Sequence, residues 1–207
     1  VTNRQMAEQV SGLCSRIHII PHGVDASRFV PAPPGKENEV PVLFSPGRME
    51  DPAKGMQVLL DAAALLADGE RQFKLRVTLP EGYGGPPWLQ AVGKAAHEDM
   101  PGIYQQADIC VVPSVWEEPF GIVALEAMAS GLPVCGARTG GLQDIILHEE
   151  TGLLFDRGNP SALADALKWL IDDPPLRNAL GSAGRMRVLG HYCWEIILEH
   201  HYSSVFN

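Results

Sequence analysis

Residues 109–129 read Ile109-Cys110-Val111-Val112-Pro113-Ser114-Val115-Trp116-Glu117-Glu118-Pro119-Phe120-Gly121-Ile122-Val123-Ala124-Leu125-Glu126-Ala127-Met128-Ala129. The first four are continuously apolar, as expected of a parallel strand covered on both faces. Gly121 to Ala129 reads as a helix, so the polar stretch before it is a strand-to-helix turn. In a doubly wound sheet that turn lies at the carboxyl ends of the strands, where ligands bind. Gly121 lets backbone approach a ligand closely, and the free N–H groups of Gly121, Ile122 and Val123 form an anion site at the helix start. Glu126 lies beyond the first helical turn, where its carboxylate can accept paired hydrogen bonds from vicinal hydroxyls, as on a ribose. Glu118 precedes the helix and can face a second hydroxylated group. Two carboxylates around a phosphate-binding helix start suit a sugar nucleotide. For the pair alone, two solvated glutamates beside an ordinary helix start compete with this reading; the neighbouring residues weigh against them.

Working outward, strands and helices alternate. Val40 to Ser45, Phe73 to Leu79, Leu132 to Cys135 and Leu153 to Phe155 read as further strands. Lys54 to Leu66 carries helical spacing through Val58, Leu59, Ala62, Ala63 and Leu66, and Leu142 to Leu147 reads as a short helix. Pro160 to Ile171 opens with Pro near its first turn and keeps Leu163, Leu167 and Leu170 on one face. Two helical stretches finish the chain, about Pro175 to Leu189 and Trp194 to Val205. The alternation predicts an α/β fold, a Rossmann-like doubly wound and mostly parallel sheet. Upstream, Thr2-Asn3-Arg4-Gln5 reads as a capping box opening a short helix that fades near Gly12. Ile17 to Ile20 is a brief β-branched run stopped by Pro21 and Gly23, and residues 31–36 look like a stiff linker, with a boundary near residue 38.

The chain has 207 residues, is 45% apolar and 20% charged, and carries a formal charge of −9. That describes a globular protein and argues against a general nucleic-acid binder, which needs a basic face to release counterions. No apolar run reaches the roughly 18 residues that a membrane span requires. The first residues have neither an initiator Met nor a signal peptide's apolar region, so the start looks like a cut inside a longer chain. Cys14, Cys110, Cys135 and Cys193 form no CxxC pair, and Cys110 and Cys135 sit in apolar runs; buried free thiols in a reducing cytoplasm fit that pattern.

A family resemblance rests on these and further residues. Glu118 and Glu126 are separated by seven residues, with Pro-Phe-Gly after the first and Ala-Met after the second. This resembles the E-x7-E motif of retaining GT-B glycosyltransferases of the large family 4 type (glycosyl transferases group 1). Pro21-His22-Gly23-Val24-Asp25 with Arg28-Phe29 and Pro31 is similar to that family's "PNGVD…RF.P" interdomain segment. Ser45-Pro46-Gly47-Arg48 with Lys54-Gly55 resembles its "GR…KG" loop, and Met100-Pro101-Gly102-Ile103-Tyr104 with Ala107-Asp108 resembles "LP.LY.AAD". Ala129-Ser130-Gly131-Leu132-Pro133-Val134, Thr139-Gly140-Gly141 and Glu150-Thr151-Gly152-Leu153-Leu154-Phe155 follow in the family's order and spacing. The resemblance covers about residues 10 to 205, the extent of the family's C-terminal, donor-binding domain.

It implies a domain that binds a nucleoside diphosphate sugar and takes part in moving a hexose to a saccharide, lipid or small-molecule hydroxyl. Residues 1–38 would be the end of an N-terminal domain and the interdomain linker, 39–190 the nucleotide-sugar domain, and 191–207 a crossover helix returning to the partner domain. Arg48 and Lys54 would hold the donor diphosphate, and with Glu118 they form the expected catalytic set. Two cations on the loop after the first strand also suit a dianion on physical grounds. Donor contacts are expected from Leu79, Glu118, Phe120, Gly121, Ile122, Val123, Glu126, Thr139 and Gly140 as well. Thr139-Gly140-Gly141 either adds backbone donors near the phosphates or is a plain turn; both readings stay open. No metal is required, and no Asp-x-Asp occurs. The expected location is cytoplasmic, with peripheral membrane attachment open to the full-length protein.

His22 stands where the family usually has Asn and reads as a hinge-turn residue rather than a catalytic one. His97, His148, His191, His200 and His201 show no metal-ligand spacing. Trp116 and Trp194 read as packing residues. Two features depart from the family pattern. Thr78 to Pro87 replaces the usual "GDGP" turn, and a following "V.FLG" strand is not found, which predicts a sheet short of one edge strand and leaves backbone around Leu79 to Gly82 to contact the base. The resemblance also implies an N-terminal domain that these residues are expected not to include, so the chain alone is expected to bind donor weakly and transfer sugar poorly or not at all. The rival reading is a non-catalytic nucleotide-binding or assembly module that lost function with that strand. A phosphorylase of similar fold would need a pyridoxal-phosphate lysine, and no motif singles one out.

Overall fold

Six parallel strands form one sheet in the computed structural model, which describes residues 1–13, 16–35 and 38–202. They are β1 (Val42–Ser45), β2 (Lys74–Val77), β3 (Leu89–Ala91), β4 (Ile109–Val112), β5 (Val134–Ala137) and β6 (Leu153–Phe155). Their order is β3-β2-β1-β4-β5-β6, every neighbouring pair parallel. The order reverses between β1 and β4, so the loops leaving those two strands flank the switch-point crevice of a doubly wound sheet. Ser45 closes that seam by donating to the Val111 carbonyl at 2.9 Å.

Every residue of β1, β4, β5 and β6 is buried, which explains their unbroken apolar runs. On one face Leu43, Leu75, Val77, Ile109 and Val111 meet helices α2 (Met56–Asp68) and α6 (Pro160–Asp172) through Leu59, Ala62, Leu66, Leu163 and Leu167. On the other, Phe44, Cys110, Val112 and Val134 meet α3 (Met100–Tyr104), α4 (Ile122–Ala129), α5 (Leu142–Ile145) and α7 (Pro174–His191). Truncating one of these fully buried leucines costs about 2–5 kcal/mol, transfer and cavity together. The starts of α6 and α7 are set by side-chain caps: Asn159 accepts from Ala162 N at 3.1 Å before α6, and Asp173 from Leu176 N at 2.9 Å before α7. Burial pushes the thiols of Cys110 and Cys135 up, and both are free, as is buried Cys193; Cys14 lies outside the described residues. No helix among the described residues is long and apolar enough to cross a membrane.

Four expectations are corrected. The sheet does not lack an edge strand: β3 pairs with β2, with Leu75 N–H bonded to Trp88 O at 2.7 Å and Val92 N–H to Val77 O at 2.9 Å. What is short is the crossover, since residues 78–88 contain no helix. The cap of α1 (Arg4–Val10) is Asn3, accepting from Met6 N at 2.7 Å; Thr2 instead donates to the Pro119 carbonyl at 2.9 Å. Ile17–Ile20 is not a strand; Ile20 N–H donates to the Val1 carbonyl at 2.8 Å and the Val1 amino group donates to the His18 carbonyl at 3.1 Å, which ties the segment to the first residue and not to the sheet. The final helix is α8 (Trp194–Ile197), continued as a π turn over Leu198–Tyr202, and residues 203–205 lie outside the described residues. Val24 and Phe29, upstream of the expected boundary, are buried in the same core as β1.

Candidate functional site

The crevice is built from the loop after β1, the loop after β4 and the start of α4. Gly121 takes a left-handed φ of 102°, and a Cβ there would meet Leu142 Cδ2 at 2.5 Å. Its turn starts α4 without any side-chain cap, so the first-turn amides stay uncovered at the crevice. Beneath the turn, Gly141 N–H donates to Glu118 O at 2.8 Å, and a Cβ on Gly140 would run into the Glu118 carbonyl. The Thr139-Gly140-Gly141 segment is therefore a backbone bed for residues 118–120, and the Gly141 N–H is already used. On the other side, Val115 N–H donates to Ala53 O at 2.9 Å, which draws the Lys54 turn against the β4 loop.

Glu118 is 8% exposed, and its Oε2 accepts from three donors: Lys54 Nζ at 3.0 Å, Ser114 Oγ at 3.0 Å and Trp116 Nε1 at 3.1 Å. Lys54 also stands over the Trp116 ring, 5.0 Å from its centroid. Trp116 is thus part of the site rather than packing alone. Arg48 is exposed on the loop after β1. The enclosed space between Gly47, Lys54, Ser114, Glu118 and Val123 is only about 30 Å³, because the Lys54–Glu118 pair spans it.

Glu126 is 4% exposed and is held by two donors: His97 Nε2 lies 2.9 Å from Oε1 and Tyr104 Oη 3.0 Å from Oε2. Burial first, and then the Glu126 charge, hold the Tyr104 phenol well above its ordinary range. Neither His97 nor Tyr104 was among the expected site residues, although Tyr104 ends a segment whose likeness to "LP.LY" was legible. Leu79 turns its side chain into the core, and its N–H donates to Val77 O at 2.9 Å. The Thr78 hydroxyl donates to the Gly47 carbonyl, tying that crossover to the Arg48 loop. Phe120 is buried with its ring edge-on to His22 at 5.1 Å, so it offers the crevice backbone and not its ring.

Beside the Glu118 loop, away from Lys54, lies a mainly polar cleft of about 540 Å³ whose lining includes Arg4, Glu117, Arg138, Thr139, Gly140 and Arg157. Arg157 pairs with Glu117 and holds its carboxyl below the usual carboxylate range. The Thr139 hydroxyl donates to the Trp116 carbonyl at 2.8 Å, closing the floor. Adjacent residues Glu117 and Glu118 thus serve two different rooms. A cavity of about 560 Å³ lies at the opposite end, against Pro41, Asp108 and Pro133, where strands begin rather than end. Its position argues against a role in the crevice chemistry. No cluster of three or more His, Cys, Asp or Glu placed to hold a metal occurs among the described residues.

The sequence model of the glycosyl transferases group 1 family matches residues 27–187. A D-inositol 3-phosphate glycosyltransferase of Arthrobacter sp. (strain FB24) is 35% identical over 219 residues, 91% of this chain and 50% of that protein. The chain thus spans about half the length of the curated relatives it matches. Sucrose-phosphate synthase from Thermosynechococcus elongatus superposes with a TM-score of 0.86 at 30% identity, covering 100% of this chain and 57% of that one. The C-terminal domain of the group 1 protein LpcC from Francisella tularensis superposes with a TM-score of 0.71 at 28% identity, covering 83% of this chain and 100% of that one.

Proposed function

The chain belongs to the glycosyl transferases group 1 family, and from that premise we propose that it is the donor-binding domain of a retaining, family 4-type glycosyltransferase. The reaction would move a hexose from a nucleoside diphosphate sugar to a hydroxyl of a saccharide, lipid or small molecule. The observation that carries this reading is the placement of buried Glu126 at the α4 start, held by His97 and Tyr104, beside uncovered first-turn amides. A buried carboxylate with lone pairs to spare is a receptor for a cis-diol, and uncovered amides are a receptor for phosphate.

In this reading the ribose diol meets Glu126 and the diphosphate meets Arg48, Lys54 and the amides of Gly121, Ile122 and Val123. Negative charge grows on the leaving diphosphate as the sugar departs, and fixed cations and amides lower the energy of that state. No metal enters this scheme. Lys54 would then turn from Glu118 towards phosphate, freeing Glu118 to accept from sugar hydroxyls. The polar cleft around Glu117, Thr139 and Gly140 suits a polyhydroxylated acceptor, and the relatives' printed name suggests an inositol phosphate as the first one to try. A second domain closing over the crevice would exclude water and complete the acceptor site, so this chain alone should transfer sugar poorly. The non-catalytic alternative rested on a lost edge strand, and β3 removes that ground.

The test is thermal unfolding with UDP, GDP and ADP, each at millimolar concentration. Ligand at about 100 times its dissociation constant adds about 2.7 kcal/mol. A rise of several degrees with one nucleotide, lost in Glu126→Ala, supports the site. An equal rise in Glu126→Ala would remove Glu126 from it.

A further inference from the structure

His97 is an exposed side chain making one short, directed contact with a buried one. Its side chain is 64% exposed, that of Glu126 is 5%, and they meet at 2.9 Å. A carboxylate can only accept, so Nε2 carries the proton of this bond. Tyr104 donates to the other oxygen from the core side. The two donors hold the two oxygens from different elements, α3 and the segment between β3 and α3, and so fix the plane of the carboxylate. A carboxylate offers about four lone-pair sites, so two remain, one on each oxygen. That is the complement of two vicinal hydroxyls.

His97 is in turn held in place. Phe29, almost fully buried, packs its ring edge against the imidazole with centroids 5.8 Å apart, and Arg28 donates to the His97 carbonyl at 3.4 Å. The strand that delivers this segment is β3, whose last bond is Val92 N–H to Val77 O. An exposed histidine with a buried aromatic behind it and a backbone tie beside it is directed at its carboxylate.

The geometry points to His97 as a positioning residue of the nucleotide site, setting Glu126 so that it discriminates a ribose diol from a deoxyribose. This rests on the reading of Glu126 as the ribose receptor, and the experiment separates the two. Calorimetry on the parent chain identifies which of UDP, GDP and ADP binds most tightly, and that nucleotide is compared with its 2′-deoxy form. The parent should prefer the ribonucleotide by about tenfold, the size of one hydrogen bond to a charged group. His97→Ala should bring the two affinities within about twofold of each other while leaving the deoxynucleotide affinity near that of the parent. His97→Gln can donate from a similar position and should keep most of the preference, which a mere packing role would not require.

If Glu126→Ala abolishes the preference and His97→Ala leaves it intact, the inference about His97 falls and the ribose reading stands. If Glu126→Ala leaves the preference intact, both fall. Failure of the parent to bind any of the three nucleotides would also overturn both.

Discussion

Lys54 Nζ lies 3.0 Å from Glu118 Oε2, joining residues 64 positions apart across the mouth of the crevice. The pair neutralises two partly buried charges without a ligand, and the indole of Trp116 braces both members. A diphosphate arriving there competes with Glu118 for Lys54. Glu118→Gln should therefore leave nucleoside diphosphate affinity unchanged or raise it, because the lysine is no longer neutralised. Lys54→Met should lower that affinity by about tenfold, equivalent to about 1.4 kcal/mol. Calorimetry on both variants decides the matter, and a loss of affinity in Glu118→Gln would mean that the carboxylate orients the lysine rather than competing for it.

Tyr104 gives the alkaline limb of stability a specific source. Its phenol is buried against the Glu126 carboxylate, and both effects raise its pKa in the folded chain. The unfolded chain releases that proton near the ordinary value of about 10. Above this pH the unfolded state binds fewer protons than the folded one, so stability falls as pH rises; below it, the contribution is fully present. Melting midpoints of the parent should drop more steeply between about pH 9.5 and 11 than those of Tyr104→Phe. The variant should begin lower at neutral pH, because Glu126 Oε2 has lost its donor and an unpaired buried polar group costs about 1–3 kcal/mol. Parallel alkaline slopes in the two proteins would show that Tyr104 ionises as freely folded as unfolded.

Gly140 and Gly158 both have positive φ, 45° and 74°, but only one has a neighbour. A Cβ on Gly140 runs into the Glu118 carbonyl, whereas one on Gly158 meets nothing within 4 Å. Gly158→Ala should cost only backbone strain, about 1 kcal/mol, and leave nucleotide affinity alone. Gly140→Ala must push the Glu118 loop off its bed, so it should cost more stability and weaken nucleotide binding as well. Equal affinities in the two alanine variants would show that the bed does not position Glu118.

Much of this arrangement was legible because it is local. The run Ile109–Val112, the turn at Gly121 and the amphipathic spacing of Leu163, Leu167 and Leu170 each declare themselves within a few residues. The links that the sequence reading missed are long-range. Lys54 and Glu118 were both chosen as ligand groups, but their bond to each other needs the β1 and β4 loops side by side. His97 and Tyr104 reach Glu126 across 29 and 22 positions, and nothing in their own segments announces a carboxylate. The cap of α1 is Asn3, whose Oδ1 accepts from Met6 N, and both Thr2 and Asn3 donate to the distant Pro119 carbonyl, a contact no local pattern announces. The edge strand was hidden for another reason. A parallel crossover normally contains a helix, so a segment without one does not suggest that a strand follows.

That helix-free crossover makes β3 the element most worth testing directly. Its hold on the sheet includes Leu75 N–H to Trp88 O at 2.7 Å and Val92 N–H to Val77 O at 2.9 Å. Amides in paired strands exchange only when the pairing opens. Both should exchange far more slowly than the exposed amides of residues 81–85, with Leu75 the slower because β1 covers its other side. Val92→Pro deletes the second bond and should release the segment that carries His97. Nucleotide affinity should then fall even though no ligand-facing side chain has changed. Fast exchange at Val92 in the parent, equal to that at residues 81–85, would mean that β3 is not held to the sheet in solution.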